Sequence, residues 1–538
     1  MSSIPMNPPD TRSTCGSITK TTFSCHSRSS RVSELLQRND PPSDSELSDF
    51  QNITKSGPGR IADLDEKIDR AREHLAALID ERSLLQAEID DARALSSPIR
   101  RLPSDVLRTI AQLEVIPSPY EVLNPITLRV DSANSLDSRE SPWTLAQVSH
   151  RWRFTIVNAP ELWSSMSLVI NDEGPTTVAR QMFLTGLRLE QSKYFPLTLS
   201  LSVYSYADIS NHPLLSLIST RISSIRNLRI QASLISYSAF SWWRGRLDRL
   251  YHLAIVANTL GLGPQSAGGT ESILDTFECA PQLKMITLEG FPSATRFPGT
   301  QITHLNLSII NWNDVEILRQ FHNLSNLHIA YSSSSLPSGH RIISLPALTS
   351  LTLTYQYRRW RGPPTPFDFE SDPTFSLLSI PNLTHLWLVY TKGFTVFPTI
   401  PTPNTITALR IEFSGGNDMP YPPDRKLSTL FESVTNLRDL IISESPAVYG
   451  VSVHVLSLVH IHLHHLRTLD IRGSTLRLDH MQRFVGMVEG HRQGNSGEMD
   501  QMETVYLRYP LTLDPIYARR WQSLIDGGLK VVYGRPEL

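Results

Sequence analysis

Apolar residues follow three successive rhythms along this chain, and each predicts a different element. From 59 to 95 the rhythm is a heptad: Ile61, Ile68, Leu75, Arg82 and Ile89 take one seam position and Leu64, Ala71, Leu78, Leu85 and Ala92 the other, so nine of the ten are apolar. Charged residues, as in DEKIDRAREH, fill the outer positions, so this stretch reads as a coiled-coil helix whose 61–92 seam is about 48 Å long. Two occupants of the seam stay open: a second copy of the chain, giving a homodimer, or the chain's own body. From 98 the rhythm shortens to single amphipathic helices. Pro103 sets φ where a helix can begin, and Val106, Leu107, Ile110 and Leu113 follow at helical spacing. After a polar gap at 114–140, Ser141 offers a cap, Pro142 suits a first helical position, and Leu145, Val148, Trp152 and Ile156 recur every three or four residues. Asn158-Ala159-Pro160 ends that helix, leaving Trp163 to fold back on the same apolar surface. Beyond Leu168 the rhythm becomes apolar-x-x-apolar-x-apolar, with copies beginning at 225, 250, 283, 302, 324, 348, 383, 406, 437, 466 and 502. Residues 1–58, ahead of all three rhythms, are rich in Ser, Thr, Pro and Asn and read as a flexible tail, too polar to offset the entropy of ordering.

Two short helices and a tryptophan hook form a marginal core, and the apolar face left over asks for a partner. The Leu102-Pro103 pair, the V-L-x-x-I run at 106–110, V-S-H-R-W-R at 148–153 and the A-P-x-L-W ending at 159–163 together resemble the F-box domain of fungal F-box proteins. The chain departs from that family at Asp105, Ala111 and His150 and in the insertion 114–140. The resemblance implies an α-helical module over 98–168 that docks on the adaptor subunit of an SCF-type (cullin-RING) ubiquitin ligase and presents a target protein for ubiquitin transfer. It implies adaptor contacts from Leu102, Pro103, Val106, Leu107 and Ile110, with Leu145, Val148 and Trp152 closing the module. Trp163 would be the core residue joining the module to the next domain.

The repeated motif, with starts from 19 residues apart (283 to 302) to 36 (466 to 502), resembles leucine-rich repeats. The fold class expected is therefore α/β: a coiled-coil helix, the F-box-like helices, and over 169–535 an irregular leucine-rich-repeat solenoid with a parallel sheet. Each unit hides its leucines only when neighbours stack on it. Side chains alternate along a strand, so the residues between the buried leucines share the opposite face. Among them His328, His385, Trp387, Arg410, Asp439 and Asp470 are the candidate target-binding residues, a mix of aromatic and charged groups suited to a protein surface.

Composition narrows the alternatives. A formal net charge of -2 over 538 residues lacks the basic excess of a nucleic-acid binder, and no apolar run reaches the length of a membrane span, so the chain is expected to be intracellular. Cys15, Cys25 and Cys279 form neither a disulfide framework nor a C-x-x-C pair. GLGPQSAGG at 261–269 is not a phosphate loop, and no G-x-S-x-G or H-E-x-x-H occurs. His460, His462, His464 and His465 would share a face only on a strand, and Arg358-Arg359-Trp360-Arg361 is a lone basic stretch in a neutral chain. Neither an enzymatic centre nor a cofactor is expected. The leading expectation is a ligase substrate receptor, and the alternative is a ubiquitin-independent leucine-rich-repeat scaffold.

Overall fold

A computed structural model describes residues 30–38, 40–115, 135–171, 174–204, 209–257, 274–291, 295–309, 312–331, 342–355, 374–390, 397–401, 405–413, 424–444, 453–473, 478–493, 501–511 and 513–534. Most of the insertion at 114–140, the glycine-rich 261–269 stretch, the basic stretch at 358–361 and the first 29 residues of the expected tail lie outside them. The chain divides into two compact units, one ending at Leu102 and the other beginning at Pro103.

The first unit corrects the tail expected over 1–58. Helix α1 spans Ser30–Arg38, and α2 runs unbroken from Asp44 to Ser96, about 80 Å, with Pro58 inside it. The cause is a capping box. The Ser43 hydroxyl accepts the Glu46 N–H at 3.4 Å while Glu46 Oε2 accepts the Ser43 N–H at 2.8 Å. Those bonds, together with Arg31, hold the Glu46 carboxyl down to about 2. Heptad spacing begins only at 61, but the helix begins where its cap is.

The second unit opens with α3 (Ser104–Val115), α4 (His150–Val157) and α5 (Pro160–Trp163). The expected helix start at Ser141 is also corrected. The Ser141–Pro142 peptide is cis, Leu145–Gln147 is a 3-10 turn, and the cap is Ser149, whose extended backbone lets its hydroxyl accept the Trp152 N–H at 3.3 Å.

Fourteen parallel strands then form one sheet in which every strand lies beside its neighbours in the chain. They are β1 (Ser165–Ile170), β2 (Leu197–Val203), β3 (Ile225–Ala232), β4 (His252–Ala257), β5 (Met285–Glu289), β6 (His304–Ile309) and β7 (Asn326–Tyr331). The series continues with β8 (Ser350–Tyr355), β9 (His385–Tyr390), β10 (Ala408–Phe413), β11 (Asp439–Glu444), β12 (Thr468–Gly473), β13 (Thr504–Leu507) and β14 (Lys530–Tyr533). Every copy of the repeated motif supplies one of them. β1, β2 and β14 lie outside the repeats, and β1 starts inside the span assigned to the helical module.

Burial alternates along the strands, as in β6, where Leu305, Leu307 and Ile309 are buried while His304, Asn306 and Ser308 are half-buried. The buried leucines and isoleucines of the strands join one continuous core. On that same face the strand ends carry a ladder, Tyr331 on Tyr355 on Tyr390 on Phe413, with ring centroids 5.5, 4.9 and 5.6 Å apart and planes within 22°. Helix α6 (Pro175–Gln191) connects β1 to β2, and Asp424–Ser433, Val453–His462, Leu478–Gln493 and Pro515–Asp526 fill the last four connections.

Candidate functional site

Two surfaces of the second unit hold the residues singled out by sequence. The first is α3. Its inward side buries Leu107 and Ala111 against α4 and α5, and its outward side leaves Val106 38%, Ile110 40% and Leu113 81% exposed, one stripe at i, i+4 and i+7. Pro103 is exposed ahead of the helix, Val148 and Phe154 are exposed around α4, and Leu145 is half-buried. Leu102, half-exposed, ends the first unit.

Two expected contact residues are therefore corrected. Leu107 is fully buried and Trp152 nearly so, because each points to the shared interior that holds the three helices together. They shape the face from behind without touching what lies in front of it.

The helices are locked by charge as well as by packing. Glu161, buried in α5, accepts from the Arg108 guanidinium and from Gln112 Nε2 at 3.0 Å. Burial pushes its carboxyl up, but the Arg108 bond, its own backbone N–H and Gln112 outweigh that and hold it below the ordinary carboxylate range.

Trp163 performs the joining role expected of it. Its indole N–H donates to the Ile156 carbonyl at 2.9 Å, and Trp143 meets it edge-on at 4.9 Å. Between the two rings lies Arg188 of α6, fully buried, with Cζ 5.8 Å from each centroid. Its guanidinium donates to the carbonyls of Ser135 and of Ser165, the latter at 3.2 Å, and burial pulls its pKa down to about 10. Neither Trp143 nor Arg188 was legible as a joint, since their partners lie far along the chain.

The second surface is the sheet face opposite the leucines. Strand register sets one row across it, in which Asn306, His328, Thr352, Trp387, Arg410, Ile441, Asp470 and Tyr506 are successive partners. The row beside it carries His385, Ala408 and Asp439. The sequence-predicted target residues thus converge on two adjacent rows of one face, although they are spread from 328 to 470.

Their chemistry changes along the row. On β4 to β8 the groups satisfy one another: His252 Nε2 and Asn306 Nδ2 both reach Thr287 Oγ1 at 3.3 Å, Asn326 Nδ2 donates to His304 Nε2 at 3.0 Å, and His328 Nε2 meets Thr354 Oγ1 at 2.8 Å. Burial pulls His252 and His328 down to about 4, so both rings are neutral at pH 7. On β9 to β13 the groups are larger and charged. Arg410 lies over the Trp387 ring at 4.1 Å and donates to Glu412 at 3.3 Å. Arg472, a residue just past the motif, grips both Asp470 oxygens through Nε and Nη2 at 3.1 and 2.8 Å and covers the Tyr506 ring at 4.6 Å.

Asp470 is consequently buried and paired rather than free to receive a partner's cation, and His328 is committed to its neighbour. His385 and Asp439 are exposed, and Trp387 and Arg410 are half-buried. His460 and His462 lie on the helix Val453–His462, where His460 meets His491 edge-on at 5.4 Å. Among the described residues no group of three or more His, Cys, Asp or Glu is placed to hold a metal ion, and no helix is long and apolar enough to cross a membrane.

No family model matches the chain, and no curated protein matches it.

Proposed function

We propose that this protein is the substrate-recognition subunit of an SCF-type ubiquitin ligase. The helical module docks on the adaptor as an F-box, the strands form a leucine-rich-repeat solenoid that binds a target protein, and the chemistry of ubiquitin transfer belongs to other subunits. The observation that carries the reading is the open stripe Val106, Ile110 and Leu113 on a helix whose other side is sealed. A helix cannot leave such a stripe in water without cost, and the buried Arg108–Glu161 pair fixes the angle at which it is offered. Target binding is assigned to the β9–β13 rows, where Trp387 under Arg410 and Tyr506 under Arg472 supply the aromatic and guanidinium anchors typical of protein interfaces.

The test is recovery of the adaptor from a cell extract by the intact chain and by Val106→Asp/Ile110→Asp. Both side chains face outward, so the variant folds and its recovery falls at least tenfold. Undiminished recovery returns the chain to the alternative, a ubiquitin-independent repeat scaffold.

A further inference from the structure

The seam of α2 is open along its whole length. Its seven large apolar side chains are each between 46 and 61% exposed, and no residue of the 53-residue helix is buried. The seam also has a defined start, because Thr54 and Gly57 occupy the two positions before Ile61. A heptad stripe of this kind is covered by another helix packing knobs into holes, and charges beside the stripe choose that helix and its direction.

A second copy lying parallel and in register fits poorly. It sets Arg82 against Arg82 inside the seam, and it brings Lys67 beside Arg72 of the second copy. Turning the second copy around removes both conflicts. Ile61 then meets Ala92, Leu64 meets Ile89, Ile68 meets Leu85 and Leu75 meets Leu78, large residues against smaller or equal ones. Arg82 falls opposite Ala71, whose small side chain leaves room for the arginine stem to run along the seam and carry its charge out to water. Alongside, Lys67 comes next to Glu88 of the second copy and His74 next to Glu81. Twofold symmetry makes each pair twice.

We infer that 61–92 is an interaction surface for a second copy of this chain, which it pairs antiparallel with Leu75 and Leu78 at the centre. The pairing is independent of adaptor docking. It gives each assembly two helical modules and two sheets, so a target carrying two recognition segments is held with the gain that linked sites confer.

Sedimentation equilibrium of the full chain tests this. The wild type tends with concentration to twice the 60.6 kDa chain mass, and Leu75→Glu/Leu78→Glu stays at the chain mass with its helix content unchanged by circular dichroism. Direction is read from charge reversal. Lys67→Glu turns two attractive contacts into Glu–Glu contacts and raises the dimer dissociation constant about tenfold, and adding Glu88→Lys restores it. In a parallel pair the single substitution would relieve Lys67 against Arg72 and tighten the dimer. A wild type that remains at the chain mass, or a Lys67→Glu dimer as tight as the wild type or tighter, overturns the inference.

Discussion

At the residue scale, most of what decides this molecule lies in polar groups whose partners are distant in sequence. Leu107 and Ile110 look alike in the V-L-x-x-I run, yet only the geometry of α3 against α4 and α5 tells that one is sealed and the other open. Glu161 reads as a surface carboxylate in A-P-E-L-W but is buried, 53 residues from the arginine that pairs with it. Because its folded pKa is depressed, the pair stabilises the fold above the ordinary carboxylate value of 4.5, and that contribution is lost as pH falls through the lower folded value. Arg108→Ala is accordingly expected to cost about 1–3 kcal/mol at pH 7, the penalty of a buried group left without its partner. The gap from wild type should narrow below about pH 4, where the carboxyl is protonated in either protein. Urea denaturation at the two pH values measures it, and a gap that persists in acid would mean Arg108 acts through packing. His252 and His328 work in the other direction of titration. Their neutral rings are buried and their folded values lie near 4, so an unfolded chain takes up protons first and stability declines as pH drops from about 6.5. Replacing His328 with Gln should flatten that decline between pH 6.5 and 4 in the same assay.

At the element scale, periodicity was legible and element ends were not. Each apolar-x-x-apolar-x-apolar copy became a strand because its leucines have only one face to hide on. β1 and β2 escaped because SMSLVI and LTLSLSV space their apolar residues by two throughout, without the three-residue step of the repeat. The aromatic ladder could have been found, since Tyr331, Tyr355, Tyr390 and Phe413 each close their strand two residues after the last motif position. Helix starts were misplaced where two capping signals competed. Ser141-Pro142 looks like a start, but the bonding hydroxyl is that of Ser149, and the S-D-S-E box at 43–46 was hidden in a polar stretch. Replacing Ser149 with Ala should therefore cost about 1 kcal/mol, while Ser141→Ala should change stability by no more than about 0.5 kcal/mol. Thermal melts of the two variants side by side decide which serine starts the helix.

For the whole molecule, the order of the sheet means that each strand is supported only by its two neighbours, so stability varies along the array and its two ends need separate protection. The ends are built differently. The outer edge of β1 is covered: the Ser135 N–H donates to the Ser167 carbonyl at 3.1 Å, the Ser135 hydroxyl accepts the Ser167 N–H at 2.8 Å, and Arg188 holds the Ser135 carbonyl beneath Trp143 and Trp163. β14 has β13 on one side only, its residues are half-buried or exposed, and Lys530 stands at its start, a charge of the kind that discourages pairing at a free edge. Native-state hydrogen exchange should therefore find Lys530–Tyr533 exchanging by local fraying well before β1, while β1 approaches the protection of β7 to β9. Arg188→Ala removes the clamp, leaves two buried carbonyls without their donor and opens a cavity between the tryptophans, a loss of about 2–4 kcal/mol. In a line of neighbour-coupled units that loss should appear as reduced protection in β1 and β2 with β8 and β9 little changed. Equal loss of protection across all fourteen strands would show instead that the sheet opens as a single cooperative body, and that the helical module at its head is part of that body rather than a separately secured end.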